Sequence, residues 1–386
     1  MKLLFVCYGL GIGGIEKCLL NLINSLPEDN YSVDCLLMNS QYSILKSQIK
    51  RKVNFLDDFK YVMNTENTFN DIQNHGGVFR NFTKFISYCI YRLCVKLGIS
   101  PWKTFKPLPG KYDVAIAYSH HDYSPRYVID KVTADRKVLW YHNGAYEKTG
   151  KEYNRDKNYF SKFNYVVAVS SDCAKVLESK FSFSNNKLII LRNICDVENI
   201  LIKSKEFTPA GFDDTAIDIV TVGRLTSEKG ADLAVRACSK LCSKGYKLRW
   251  HWIGDGNQTS RIRQMIEEFE VQDCFFLEGN QNNPYPFINC CDIYVQTSYY
   301  EAYSTTITEA KVLCKPIVTT DVGGMRDQIE NGVNGLIVDI DADEIANAVS
   351  SLLDNMEKKN SFISELENGR KYFANSLEEY ERTVFS

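Results

Sequence analysis

Short, almost wholly apolar segments alternate with amphipathic stretches along most of this chain. The apolar segments fall at residues 3–8, 31–38, 112–119, 138–142, 165–170 and 188–191, and again at 217–222, 248–253, 275–277, 293–296, 316–319 and 336–338. Continuous apolar runs bounded by Gly, Asn and Asp are what strands covered on both faces look like, and parallel sheets produce them. Helix-length segments such as 15–26, 231–244 and 261–269 lie between them. Strand then helix, repeated twice over, predicts two doubly wound α/β domains. The weakest join is 197–215, which holds Pro209, Gly211 and a run of polar residues, and the linker is expected there. The domains are accordingly set at 1–200 and 201–370.

A length of 386 residues fits two domains, and 44% apolar residues suffice for real cores. No run approaches the ~20 apolar residues of a membrane-spanning helix. The apolar start runs straight into glycines, which predicts a strand rather than a secretory signal. Thirteen cysteines show no CxxC pair and no His at zinc-ligand spacing. They are expected to be reduced thiols serving as small apolar residues in a cytoplasmic protein.

The net charge of −2 conceals an asymmetry: residues 1–200 carry 27 Lys+Arg against 19 Asp+Glu, and residues 201–386 carry 19 against 29. The first half therefore suits an anionic partner. Residues 72–112 contain no Asp or Glu, but carry Arg80, Lys84, Arg92, Lys96, Lys103, Lys106 and Lys111. Wound as a helix, Phe79, Phe82, Phe85, Ile86, Cys89, Ile90, Leu93 and Leu97 share one face. Such a helix suits either a membrane interface or a core with a solvated basic back. Peripheral contact with an anionic membrane through 79–111, at the inner face of the cell membrane, is the sharper expectation; nucleic acid is not expected.

Three constellations carry chemistry. Gly9, Gly11, Gly13, Gly14 and Glu16 follow the first strand and open a helix, whose free N–H groups suit an anion. Gly9, Gly11 and Gly14 also spell GxGxxG, so an NAD-dependent oxidoreductase is the alternative. That reading wants an acid at the end of the second strand, where Met38, Asn39 and Ser40 stand instead. Secondly, Gly223 and Arg224 end the strand at 217–222, with Lys229 and Gly230 five residues on. Two cations at the carboxyl end of a strand can grip an anion. Thirdly, Glu301, Tyr303, Ser304, Thr305, Thr306 and Glu309 surround the start of a helix, where hydroxyls cap and the helix terminus favours phosphate.

The spacing of Glu301 and Glu309, with Gly223-Arg224 and Lys229-Gly230 upstream and Val322-Gly323-Gly324 and 331–336 downstream, resembles the fourth family of retaining glycosyltransferases, the group 1 glycosyl transferases. Gly13-Gly14-Ile15-Glu16 is similar to that family's GGxE segment. The resemblance implies a GT-B fold: an acceptor-binding first domain, a nucleotide-sugar-binding second domain, and a C-terminal helix, 371–386, crossing back to the first. It also implies that Arg224 and Lys229 neutralise the leaving diphosphate, with Gly13, Gly14 and Gly223 lining the donor site. Tyr303, Ser304, Thr305 and Thr306 would surround the distal phosphate, Glu309 would hold the ribose, and Glu301 the transferring sugar. His142 matches the family's His beside the anomeric carbon. Glu16, His120, His121 and Asp122 are candidates for the acceptor side. Ala302-Tyr303 stands where the family usually has glycine and another residue, so the sugar pocket is expected to differ.

The expected activity is transfer of a sugar from a nucleotide-sugar, UDP-sugar by preference, to a glycan or lipid-linked acceptor, as in cell-surface polysaccharide synthesis. A non-catalytic sugar- or nucleotide-binding protein is a further alternative. Asp339, Asp341 and Asp343 spell the DxD that holds Mg²⁺ in other transferases, but they lead into a late helix where Asp is an ordinary cap. No metal and no cofactor are expected.

Overall fold

A computed structural model of the chain, describing residues 1–11, 13–38, 43–56, 89, 93, 96–97, 106–120, 123–184, 186–213, 215–370 and 377–385, has two lobes. The first is built on β1 (Lys2–Cys7), β2 (Ser32–Leu37), β3 (Val53–Phe55), β4 (Lys111–Ala117), β5 (Thr133–Tyr141), β6 (Tyr165–Ala168) and β7 (Leu188–Ile190). These run parallel in the order β3-β2-β1-β4-β5-β6-β7. The second holds β8 (Ile217–Val222), β9 (Leu248–Ile253), β10 (Phe275–Gly279), β11 (Ile293–Gln296), β12 (Ile317–Thr320) and β13 (Leu336–Val338). They too are parallel, in the order β10-β9-β8-β11-β12-β13.

Each sheet reverses its winding direction once, between β1 and β4 in the first and between β8 and β11 in the second. At such a point the connections leave on opposite faces and a crevice opens beyond the carboxyl ends of the strands. The apolar runs have the cause expected of them. Leu3, Leu4, Phe5 and Val6 are all fully buried, because helices cover both faces of the sheet. The helix Gly14–Ser25 turns Cys18, Leu19, Leu22 and Ile23 inward at helical spacing.

The chain end returns to the first lobe. Tyr380, Val384 and Phe385 join its core, Tyr380 stacks 5.6 Å from Trp140, and the Tyr380 hydroxyl donates to the Arg192 carbonyl at 2.6 Å. The segment is helical over Leu377–Tyr380 and continues as a π-turn over Glu381–Phe385. Residues 371–376 and 386 of that expected helix lie outside the described residues.

Three elements differ from expectation. β3, three residues long, leaves no periodic signature. β5 begins five residues early, because its first half lies half in solvent and lacks a continuous apolar run. The expected linker opens with a helix, Val197–Lys203, capped by Asp196, whose carboxylate accepts from Asn199 N–H at 3.1 Å. Its Ile200 is buried in the second lobe.

Candidate active site

The motif loops all leave the sheets at the two reversal points. Gly9–Gly14 follows β1 and His120 follows β4; Gly223–Lys229 follows β8 and Ser298–Ser304 follows β11. The crevices of the two lobes face each other, which brings the loops to one cleft. A Cβ placed on Gly14, in the first turn of its helix, would lie 3.5 Å from Thr305 Oγ1, in the first turn of the helix Thr305–Val312. Two helix N-termini from different lobes thus converge, each presenting N–H groups and a positive dipole end to the same space. That is a site for an anion.

On the second lobe, Ser304 caps its helix by accepting from Ile307 N–H at 3.3 Å. Gln328 fixes the cap from both sides: its Oε1 accepts from Ser304 N–H at 2.8 Å and its Nε2 donates to the Ser304 carbonyl at 2.7 Å. Thr306 donates to Gln296 Oε1 at 3.1 Å, and Gln296 donates on to Ser298 Oγ at 2.9 Å. Ser298 donates in turn to Glu301 Oε1 at 3.1 Å. Lys229 pairs with that same oxygen, so Glu301, only 9% exposed, is held by a cation and a hydroxyl. Gly230, next to Lys229, has φ +67°, and a Cβ there would overlap the Thr297 carbonyl; only glycine passes this turn.

Glu309 is buried and lines a cavity of about 300 Å³ together with Lys17, Tyr285, Tyr303 and Thr308. Burial raises its carboxyl above the usual range, while Lys17 opposes the shift. Lys17 Nζ lies 3.7 Å from Glu309 Oε1, and the Tyr285 hydroxyl 3.4 Å from the same oxygen. Glu309 Oε2 is buried with no hydrogen-bond partner among the described residues. A buried acceptor left unmade is costly, and a ligand hydroxyl supplies what it lacks. Glu16, near Gly13, has its carboxyl raised by burial as well.

The first lobe contributes its strand ends. His142 N–H lies 3.4 Å from His120 Nδ1, and the His142 ring packs 4.8 Å from Tyr118. A Cβ on Gly144 would meet the Glu301 carbonyl at 2.9 Å, and Asn143 Oδ1 accepts from the Tyr300 hydroxyl. Glycine at 144 therefore lets the His142 loop rest against the backbone of Glu301. Ala302, at the position where the sequence departs from the pattern, is buried in the first lobe's core, with Tyr303 packed against it.

Among the candidate residues, Gly13, Gly14, Lys229, Glu301, Tyr303, Ser304, Thr305, Thr306 and Glu309 come together here, with His142 and Glu16 beside them. Arg224 lies at the rim: its side chain is 70% exposed and pairs with Glu228 at 3.2 Å, and its charge acts on Glu16 of the first lobe, opposing the rise in that carboxyl. His121 and Asp122 lie outside the described residues, as does most of 79–111. Of that stretch Leu93 and Leu97 are exposed, and among the described residues no helix is long and apolar enough to cross a membrane. Asp34, the one acid of β2, sits at its amino half, accepting from the Tyr112 hydroxyl at 2.7 Å, far from where a dinucleotide ribose would lie. Asp341 caps the helix Ala342–Leu353, accepting from Asp343 N–H at 2.8 Å. Lys17, Gln296 and Gln328 were not singled out from the sequence, whereas Ser298 opens the motif around Glu301. Only Lys17, one residue past Glu16, had a nearby signal; the others are polar residues in ordinary positions.

Residues 202–370 match the family described as glycosyl transferases group 1. That match covers the second lobe. Over 346 residues the chain is 27% identical to the N-acetylgalactosamine-N,N'-diacetylbacillosaminyl-diphospho-undecaprenol 4-alpha-N-acetylgalactosaminyltransferase of Campylobacter jejuni, covering 88% of this chain and 86% of that one. It is 26% identical over 204 residues to an uncharacterized glycosyltransferase of Methanocaldococcus jannaschii, and spans half the length of that relative. Among solved structures, HepE of Anabaena in complex with UDP-glucose superposes with a TM-score of 0.72 at 16% identity, covering 100% of this chain and 98% of that one. The two lobes are a GT-B fold, and the group 1 match lies on the lobe that carries Lys229, Glu301 and Glu309.

Proposed function

We propose that this chain is a retaining glycosyltransferase that moves a sugar from UDP to a hydroxyl of a glycan or lipid-linked acceptor, without a metal. The observation that carries the proposal is the meeting of two helix N-termini, at Gly14 and Thr305, beside Lys229, Glu301 and Glu309. In the reaction the C1–oxygen bond to the diphosphate breaks, and the diphosphate leaves with the electron pair. The acceptor oxygen bonds to C1, and its proton passes to the departing phosphate. Negative charge grows on the diphosphate, and groups aimed at it in advance need no reorganisation.

Lys229 supplies a charge there, and Arg224 swings in from Glu228. Both cations are now held by carboxylates, so phosphate exchanges for Glu301 and Glu228. Each charge-assisted contact is worth about 1.5–3 kcal/mol. Ser304, Thr305 and Thr306 hold the distal phosphate with Gly13, Gly14 and Gly223 close by, and Glu309 receives the ribose hydroxyls. Glu301, freed from Lys229, faces the sugar, and His142 lies on the first-lobe side of the anomeric carbon. Residues 1–200 then form the acceptor side, with Glu16, His120, His121 and Asp122, and residues 201–370 the donor side. The Campylobacter relative's name places its acceptor on undecaprenyl diphosphate. That name and the basic first lobe support a lipid-linked acceptor at a membrane surface.

Slow hydrolysis in a screen of nucleotide-sugars tests the reading, together with thermal shift by UDP, GDP and NAD. UDP should stabilise the chain and one UDP-sugar should be consumed with its anomeric configuration kept. Stabilisation by NAD alone would overturn it. Binding of UDP with no turnover of any donor would leave a binding protein.

A further inference from the structure

We infer that Cys238, Cys242 and Cys274 form a binding site for one thiophilic divalent cation, such as Zn²⁺, on the edge of the second lobe opposite the cleft. The helix Ala231–Ser243 begins at the cleft, next to Lys229, and carries Cys238 and Cys242 in its last turns. One helical turn apart, they share a face. Cys274 immediately precedes β10, so all three lie toward the amino ends of the strands, away from the candidate active site.

Their sulfurs converge. Cys242 Sγ lies 3.0 Å from Cys274 Sγ, Cys238 Sγ lies 3.7 Å from it, and all three fall within 4.8 Å of one another. Three thiolates at a Zn–S distance of about 2.3 Å in a tetrahedral arrangement stand about 3.8 Å apart. Only small shifts separate the present sulfurs from that triangle. Cys238 is fully buried, whereas Cys242 and Cys274 are half-buried, which gives a cation a way in and leaves a fourth position for water. Binding releases thiol protons to solvent.

Packing alone does not explain the trio. Cys35, by contrast, is a fully buried small side chain within the first lobe's apolar core. Among the described residues this is the one group of three metal-ligating side chains that meets in this way. A bound cation would tie the end of the helix to the β9–β10 edge, where Trp250 N–H donates to the Cys274 carbonyl at 2.7 Å. The site is independent of the proposed transfer reaction.

The test titrates the reduced, metal-free full-length chain with Cd²⁺, following the thiolate-to-cadmium charge-transfer absorbance. The expected result is saturation at one equivalent. Cys242→Ser and Cys274→Ser, checked for folding by circular dichroism, should each weaken binding at least about tenfold. Cys290→Ser, on another helix, should bind as the parent does. Three outcomes would overturn the inference. They are absence of a one-equivalent endpoint, parent-like affinity in both ligand variants, and a Cys242–Cys274 disulfide forming in a chain that takes up no Cd²⁺.

Discussion

Lys17 Nζ lies 3.7 Å from Glu309 Oε1, and the two residues come from different lobes. A first-lobe cation thus pairs with the carboxylate proposed to receive the ribose. A ribose arriving there replaces Lys17 as one partner and satisfies Oε2, which has none among the described residues. Glu309→Gln keeps the shape and removes the charged acceptor. Calorimetry should show UDP binding weakened about tenfold or more, in line with the 1.5–3 kcal/mol of a hydrogen bond to a charged group. Unchanged affinity would take the ribose away from Glu309.

Lys229 pairs with Glu301 at rest and is proposed to turn to the diphosphate in the reaction. Lys229→Ala should lower kcat/KM about a hundredfold, the scale of losing one pre-aimed electrostatic contact. The melting temperature should fall far less, because Glu301 keeps its bond from Ser298. A chelator should leave the rate unchanged; a rate that collapses with chelator and returns with Mg²⁺ would refute metal-independent transfer.

Gly230 and Gly211 both have positive φ, at +67° and +84°, but only Gly230 would drive a Cβ into backbone, the carbonyl of Thr297. Gly211 has open space around it. Gly211→Ala should therefore cost about 1 kcal/mol from conformational strain alone. Gly230→Ala should cost about 2 kcal/mol or more, since the turn itself must move. Urea unfolding of the two variants separates strain from collision, and equal losses would show that the turn yields.

His251, 3% exposed, lies 2.8 Å from Glu278 Oε1 and 3.4 Å from Asp218 Oδ1. Burial lowers its pKa, but the bonds to Asp218 and Glu278 outweigh this and raise it above 6.5. A folded-state pKa above the unfolded one stabilises fully below the unfolded value, and that stabilisation disappears as pH rises through the folded value. Melting temperature should decline from near neutral pH upward. In His251→Gln that segment of the decline should be absent, so the gap between parent and variant narrows with rising pH. A parallel pair of curves would mean that His251 stays neutral throughout.

The fold was legible because each sheet is buried on both faces, which turns strands such as 3–8 and 165–169 into unbroken apolar runs. β3 was not, being three residues long, nor was the first half of β5, which is half solvated. Lys229, Glu301 and Glu309 announced themselves by position after a strand and around a helix start. Gln296 and Gln328 carry no such mark. They matter through hydrogen bonds that only the folded loop shows: Gln296 and Ser298 link Thr306 to Glu301, and Gln328 reaches Ser304 from 24 residues on. Arg224 follows β8, and its largely exposed side chain pairs with Glu228 four residues on while its charge acts on Glu16 of the first lobe. The cysteine trio escaped notice for a related reason: two of its members are a helical turn apart, and the third is 32 residues further on.

Asp172 and Ser171 reach across to the second lobe as well, Ser171 giving its N–H and hydroxyl to Asp327 at 2.5 and 2.6 Å while Asp172 accepts from Gly324 N–H at 3.2 Å. The helix Ser171–Lys180 of one lobe is thus fastened at its head by a carboxylate of the other. Parting the lobes far enough to shed a spent nucleotide would undo this clasp, so the pace of unfastening, rather than of bond-making at C1, would set an upper bound on the cycle.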